Sequence, residues 1–541
     1  MEEKRILESW KEVSDYLKHS IKTCQRWEKE FGLPIHRFEE TARGRVFAET
    51  TELDTWIKNK LCLAEASEKD PPFFRSLAVL PFRNLCGDIE KDYFSDGITE
   101  ALITELGQIR PFRIISHQSV RQFQGTDKRI LEIAKLLRVD ALIEGAVLQA
   151  QGRVRLSVNL VAAFPERHIW AQNYECRPSE AAGLTRRIAR MIAEQAGVAL
   201  APQAEIRLSS LQAINPESYE AYLRGRASIR KSFLRADIER ALGYFEKAIE
   251  LDPEFAAAHA EKGWAYGQLG MYSHIRPGEA FPKQKESAQR ALELDSLLAE
   301  GHAELGFAAM IYDWEWPQSE KYLMRALELN PNSQRAHFYY ALFLSLVCRN
   351  EEGIAMQKRL LDLDPLNPES YWNLGWSFFW ACRYDEAKAV FDGLMEKSPD
   401  DHWLEMALGV IYSQMNMPDQ AVTMCHRARA GVPVGVDCMF DCFTGIIYAR
   451  IAEKEKAHNI IAQIKAISTE RIIDFACLAG VFLALGDTEE AVRCLEKSFQ
   501  EHSPMLVYLN TAPFWKPLFA DPRCQNILSR INFPAADFRI A

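Results

Sequence analysis

The sequence predicts a multidomain chain: a small helical head with a β-hairpin, a mixed α/β domain, and a long all-α array of repeats. Three observations carry this. Pro331, Pro365, Pro399 and Pro433 follow one another at intervals of 34 residues, with one pattern repeated between them. Glu65 to Pro72 is a charged stretch stopped by two prolines, after which short apolar runs replace helical stripes. Between Lys18 and Arg45, seven Lys/Arg against four Glu leave a local positive surplus in a chain whose net charge is −10.

In the repeat ending at Pro399, Tyr371, Leu374, Gly375 and Phe378 share one helical stripe, and Ala387, Phe391 and Leu394 a second. The next repeat sets Glu405, Leu408, Gly409, Tyr412, Ala421, Cys425 and Ala428 at the same offsets. Small residues let paired helices approach closely, and proline ends the second helix because it cannot continue the hydrogen-bond ladder. The large-Leu-Gly-aromatic helix, the Ala-large-Ala helix and the closing proline resemble a tetratricopeptide repeat. About eight pairs are expected between Tyr219 and Pro504, with an insertion around His274 to Pro282 and a capping helix between Trp515 and Ile531 that starts at Asp521-Pro522. Trp372, Trp376 and Phe379 form a second stripe beside the packing stripe, so they are the candidate partner-binding residues for a peptide or partner helix. Burial against a neighbouring repeat is the competing reading of the same rings.

The head is expected at residues 1–64. Trp10, Val13 and Leu17 space a helix whose N-cap is Ser9, with Glu12 completing a capping box. A second helix runs from Ser20 to about Phe31, stopped by Gly32-Leu33-Pro34, with Ile21, Cys24 and Trp27 facing inward. Ile35 to Phe38 and Arg45 to Ala48 read as two strands of a hairpin, and Thr51 caps a last helix. That order gives a winged helix-turn-helix, and Thr23, Arg26, Trp27, Leu33-Pro34 and Leu53-Asp54-Trp56 resemble the excisionase- and MerR-like DNA-binding module. In that geometry the second helix enters the major groove. Its outward residues Lys22, Thr23, Gln25, Arg26 and Lys29, with Arg37, Arg43 and Arg45 on the hairpin, are the candidate DNA-binding residues.

After a linker at 65–75, residues 76–200 alternate strand and helix signals and end in a hairpin at Gln149-Ala-Gln-Gly152, giving one mixed sheet covered by helices. Ala78-Val-Leu-Pro-Phe82, Gly87-Asp88, Tyr93 to Ile98, Glu144-Gly145, Arg153-Val-Arg155 and Trp170 are similar to the TolB amino-terminal-like domain. Such a domain commonly sits between a regulatory head and a tetratricopeptide tail, here residues 216–541 behind a second linker at 201–215. Asp92, Asp96, Glu100 and His117 could seat acid-base chemistry, but Asp96-Gly97 reads as an N-cap and turn. The chain carries no P-loop, no His-Glu-x-x-His, no Gly-x-Ser-x-Gly and no kinase catalytic loop. The twelve cysteines include no Cys-x-x-Cys pair.

The expectation is therefore a non-enzymatic cytoplasmic regulator with no cofactor or metal and no membrane segment. Its head binds double-stranded DNA, as a dimer if one head reads one half-site, and its array binds a protein or peptide. The alternative is an adaptor that assembles proteins without touching DNA.

Overall fold

The computed structural model describes residues 6–17, 21–22, 24–25, 28, 33–37, 46–54, 56, 74–88, 92–150, 152–200, 204–205, 208, 214–229, 234–432, 438–467, 472–511 and 513–534. The chain forms two compact units, residues 1–73 and 74–541.

The first unit opens with strand β1 (Ile6–Leu7) and helix α1 (Trp10–Leu17), followed by β2 (His36–Arg37) and β3 (Val46–Glu49). Ser9 Oγ accepts from Glu12 N at 3.2 Å, as the capping box requires, while the Glu12 carboxylate accepts from Glu8 N at 2.9 Å, one residue earlier than expected. The hairpin pairs His36 with Phe47 and Arg37 with Val46. The sequence missed β1, which pairs Ile6 with Glu49 and Leu7 with Ala48 and makes β3 the centre of three strands. Two residues are too few to show a period. Leu7, Val13, Leu17, Cys24, Leu33, Ala48 and Leu53 form the core.

In the second unit, β4 (Ser76–Val79), β5 (Arg83–Asn84), β6 (Arg113–Ile114), β7 (Ala141–Ala150), β8 (Arg153–Ala163) and β9 (Glu166–Cys176) make one mixed sheet. Its order is β6-β4-β7-β8-β9, with β5 beside β7; β4 is parallel to β6 and β7, and β7-β8-β9 run antiparallel. Helix α2 (Asp92–Gly107) and helix α5 (Ala181–Gln195) cover one face, and α3 (His117–Arg121) and α4 (Ile130–Leu137) the other. The two-residue period of a strand divides β4 accordingly: Leu77 and Val79 point into one core and Ala78 into the other. Asp140 Oδ2 accepts from Ser76 N at 2.9 Å and Ser76 Oγ at 2.7 Å, fixing the start of β4 against β7. Helix α2 starts earlier than expected, so Asp96-Gly97 lies inside it and is not an N-cap. Gly97 serves a different purpose: a Cβ there would stand 2.5 Å from Leu223 in the first repeat, so the glycine permits close helix contact.

Among the described residues the array forms eight helix pairs. They are α6 (Pro216–Ile229) with α7 (Arg235–Leu251), α8 (Ala256–Met271) with α9 (Pro277–Leu294), α10 (Ala299–Ala308) with α11 (Trp316–Leu329), and α12 (Gln334–Leu346) with α13 (Asn350–Leu363). Then come α14 (Pro368–Trp380) with α15 (Tyr384–Met395), α16 (His402–Gln414) with α17 (Pro418–Gly431), α18 (Cys438–Arg450) with α19 (Lys454–Ile467), and α20 (Phe475–Leu485) with α21 (Thr488–Gln500). Two short 3₁₀ segments, Pro504–Asn510 and Pro513–Ala520, precede the capping helix α22 (Pro522–Ile531), and Asp521 caps it by accepting from Arg523 N at 2.8 Å. The insertion in the second repeat is largely helical, since α9 takes in Pro282.

The 34-residue period also appears in the backbone. Trp314, Cys348, Cys382 and Asn416 all have φ near +60°, each at the turn between paired helices. The residue after each of the last three donates its N–H across the turn, as Arg383 N does to Phe378 O at 2.9 Å. This is the six-residue closure of a left-handed helix cap, where glycine is favoured and a side chain is disfavoured. Cys382 is exposed. Cys382→Gly should therefore stabilise the protein by about 1 kcal/mol in denaturant unfolding; an unchanged or lower midpoint would show that the turn stores no strain.

Gly375 and Gly409 differ in tightness. A Cβ on Gly375 would lie 2.6 Å from the ring of Phe391 on the paired helix, whereas on Gly409 the nearest atom is Ile447 Cδ1 of the next repeat at 3.0 Å. Gly375→Leu should cost about 3 kcal/mol by overpacking, and Gly409→Leu less. Melting curves of the two variants side by side check the order.

The sheet and the array share one core: Tyr219, Leu223, Ala248 and Phe255 of the first repeats pack with Leu102, Leu106 and Ile188. A chain of buried charges crosses the same boundary. Arg226 pairs with Glu100 of α2 and with Glu261, and Arg335 bonds Glu261 at 3.0 Å and Glu304 at 3.1 Å. Gln284 Nε2 donates to Glu304 at 2.7 Å. Two guanidinium groups thus face three carboxylates. Burial favours the neutral acid throughout, yet flanking Arg226 and Arg335 hold Glu261 below the usual carboxylate range. Glu304, with only Arg335, is pushed by burial up to about 7. Its folded pKa lies above the unfolded one, so its contribution to stability is full below about pH 4.5 and is lost as pH rises through about 7. Glu304→Gln should leave the unfolding free energy near its parent value at about pH 5 and raise it at about pH 8, by an amount on the order of 2 kcal/mol, read from denaturant unfolding at each pH. A variant destabilised equally at both would mean that Glu304 is ionised in the folded protein.

Candidate functional site

Lys22 and Gln25 are exposed on helical backbone, with Cys24 between them fully buried in the core of the first unit. Ile21, expected inward, is 41% exposed, because the core of this small unit closes on Cys24, Leu33 and Leu53 without it. Arg37 on β2 is also exposed, but its Nη1 lies 2.6 Å from Glu28 Oε1 on the second helix. The hydrogen bond to Glu28 raises the Arg37 pKa. Arg37 therefore ties the hairpin to that helix. On the neighbouring position, His36 meets Glu52 at 2.7 Å and stacks on Phe47 at 5.1 Å. Thr23, Arg26, Lys29, Arg43 and Arg45 lie outside the described residues, as does Trp27.

Inside the array, Trp372, Trp376 and Phe379 all line one cavity of about 560 Å³. Trp376 and Phe379 are 8% and 1% exposed, and Trp372 is half-buried. The first helices of the second repeat and of the fourth to eighth converge on it, through residues such as Met271, Leu342, Met406, Phe443 and Cys477. The segment after the last repeat closes it with Met505, Tyr508 and Trp515. Tyr508 lies 5.4 Å from Trp380, and the Trp372 and Trp376 rings meet edge to face at 5.8 Å with 71° between planes. The second aromatic stripe thus serves both readings: Trp376 packs on Phe391 and Phe443 while lining the cavity. Sequence reasoning missed Glu369, Tyr508 and Trp515 as lining residues. Their positions follow from the superhelix and have no local signal in the chain.

A second cavity of about 500 Å³ adjoins the first, and Phe338, Glu369 and Asn373 line both. Its wall is polar and includes Glu100, Arg226, Glu261, Arg335, Asn332 and Asp364, so it lies where the sheet meets the array. Of the residues considered for acid-base chemistry, Glu100 is committed to Arg226, and Asp92 accepts from Asn84 Nδ2 at 2.8 Å. Glu369 is exposed where the two cavities meet, and the surrounding protein, then the charge of Asp364, raises its pKa. Among the described residues no group of His, Cys, Asp and Glu could hold a metal, and no helix is long and apolar enough to cross a membrane.

Comparison with known proteins places two segments. Residues 74–191 match the family described as HilA/YgeH-like transcriptional regulator, second domain, and residues 369–401 match the tetratricopeptide repeat. The chain is 32% identical over 197 residues to a protein named putative adenylate cyclase 3 of Rhizobium meliloti (strain 1021), a stretch that is 36% of this chain and 33% of that one. It is 20% identical over 380 residues to the transcriptional regulator HilA of Salmonella typhimurium, covering 70% of this chain and 65% of that one. The chain therefore spans a third of the first relative and just under two thirds of the second. Among solved structures, that of Pseudomonas aeruginosa pilF superposes with a TM-score of 0.31 at 16% identity, over 40% of this chain and 92% of that one. The α/β domain of this chain is thus similar to the second domain of HilA-like transcriptional regulators, and the helical pairs behind it include a tetratricopeptide repeat.

Proposed function

We propose that this chain is a transcriptional regulator whose head, residues 1–64, binds double-stranded DNA and whose array binds a protein or peptide partner. The similarity of residues 74–191 to the second domain of HilA-like regulators carries the reading, because that module is named as part of a regulator. The exposed Lys22 and Gln25 beside a buried Cys24 support it: a helix anchored on one side presents a cation and an amide on the other, the groups that reach phosphate and adenine. In this reading the head is of the excisionase- and MerR-like kind, binds as a dimer, and acts in the cytoplasm without catalysis or cofactor. Arg37 contributes by holding the hairpin against the second helix, and Arg26, Lys29, Arg43 and Arg45 supply the direct contacts. A partner that inserts a short apolar segment into the array meets Trp372 first, the most accessible of the three candidate rings.

An adaptor without DNA binding is separated by salt dependence, since phosphate contacts release counterions and affinity falls steeply as salt rises. In a gel-shift titration of the full chain at fixed salt, Arg26→Ala should weaken specific binding by about 1–3 kcal/mol. Equal affinities for variant and parent would remove the second helix from the DNA interface, and no salt-dependent binding at all would favour the adaptor.

A further inference from the structure

The wall of the apolar cavity has an uneven chemistry. It includes five tryptophans, Trp372, Trp376, Trp380, Trp403 and Trp515, with Tyr272 and Tyr508, and four methionines. It includes the carboxylates of Glu369 and Asp401 and, among the described residues, not one Lys, Arg or His. Asp401 is occupied as a helix cap, accepting from Trp403 N and Leu404 N. Glu369 is in no ion pair among the described residues, and it stands at the wall shared with the polar cavity.

Ring orientation adds to this. Trp376 is nearly perpendicular to both Trp372 (71°) and Phe379 (82°), so these rings pack edge to face along the wall, with half-buried Trp372 the most accessible of the three. An aromatic face is electronegative, and a wall rich in tryptophan stabilises a cation set against it. A carboxylate at the rim adds Coulomb attraction for a cation. The same wall repels an anion, for which it offers no cationic side chain. The size is that of small-molecule sites, roughly 300–1,000 Å³.

We propose that this cavity binds a small organic cation with an apolar or aromatic body, the charged centre held between the tryptophan faces and Glu369. The inference goes beyond the regulatory reading and stands without it, because it requires neither DNA nor a protein partner. Such a ligand would touch helices from at least four repeats and the closing segment at once, so occupancy would tighten the closure of the array around it.

Two probes of matched shape and opposite charge test it: tetraphenylphosphonium and tetraphenylborate, titrated calorimetrically into the full chain. The phosphonium should bind at one equivalent and the borate should not. Glu369→Gln, which keeps shape and removes charge, should weaken phosphonium binding about tenfold, and Trp372→Leu should weaken it as well. If Trp372→Leu does not fold, the Glu369→Gln comparison still decides. Borate bound as tightly as phosphonium, an unchanged affinity in Glu369→Gln, or binding of neither probe would each overturn the proposal. None of these results bears on DNA binding by the head.

Discussion

The grip of two consecutive repeats on the edge of the sheet organises the second unit. Asn332, in the turn between the third and fourth repeats, accepts from Ile114 N at 2.9 Å and donates to Gly107 O at 2.7 Å and Phe112 O at 2.9 Å. One repeat on, Asp364 accepts from Ser119 Oγ at 2.7 Å and also from Ser116 Oγ, while Ser116 N donates to Leu363 O at 2.8 Å. Asn332 completes the free edge of β6, a two-residue edge strand, at Ile114 N, and Leu363 and Asp364 hold the start of the helix that follows it. Buried backbone groups must be paired, and here the array supplies the partners that a longer sheet would have supplied. The α/β domain and the array are therefore one folding body, held by a continuous core and by the Arg226 and Arg335 charge network.

Closure of the array is the second constraint. Eight helix pairs bring the tail back onto the third repeat: Trp316 Nε1 donates to Ile531 O at 3.0 Å, and Trp314 stacks on His502 at 4.8 Å. A solenoid normally leaves its concave side open to a long peptide. In this chain the closing segment adds Met505, Tyr508 and Trp515 to that side and deepens the groove into a half-open cavity. The two adjoining cavities then divide by chemistry, apolar under the tryptophans and polar where the sheet docks.

Local pattern made several parts legible. The 34-residue period, the alternation of small and large residues, and the Asp521-Pro522 start signal gave the helical pairs and the final helix, because each depends on neighbours within a few turns. The hairpin at Gly152 was legible for the same reason, with Gly152 at φ +71° between two strands of alternating burial. Two of the shortest elements were not legible. Strands β1 and β5 have two residues each and exist only because a partner strand completes them, whereas β6, also two residues long, was legible from the apolar run Phe112 to Ser116.

Sequence by itself thus determined the helical pairs of the array, the longer strands and their turn, which faces are apolar, and that the basic surplus sits at the head. Tertiary structure decided what those faces meet. It turned Gly97 from an expected cap into a helix-contact residue, set Arg37 on Glu28, and left Ile21 in solvent. It also brought Glu369 and five tryptophans from distant repeats around one space. The reason is range: periodicity and capping are interactions of a few residues, whereas a cavity wall, a buried ion network and an edge strand's partners are contacts across hundreds of residues that no local pattern encodes.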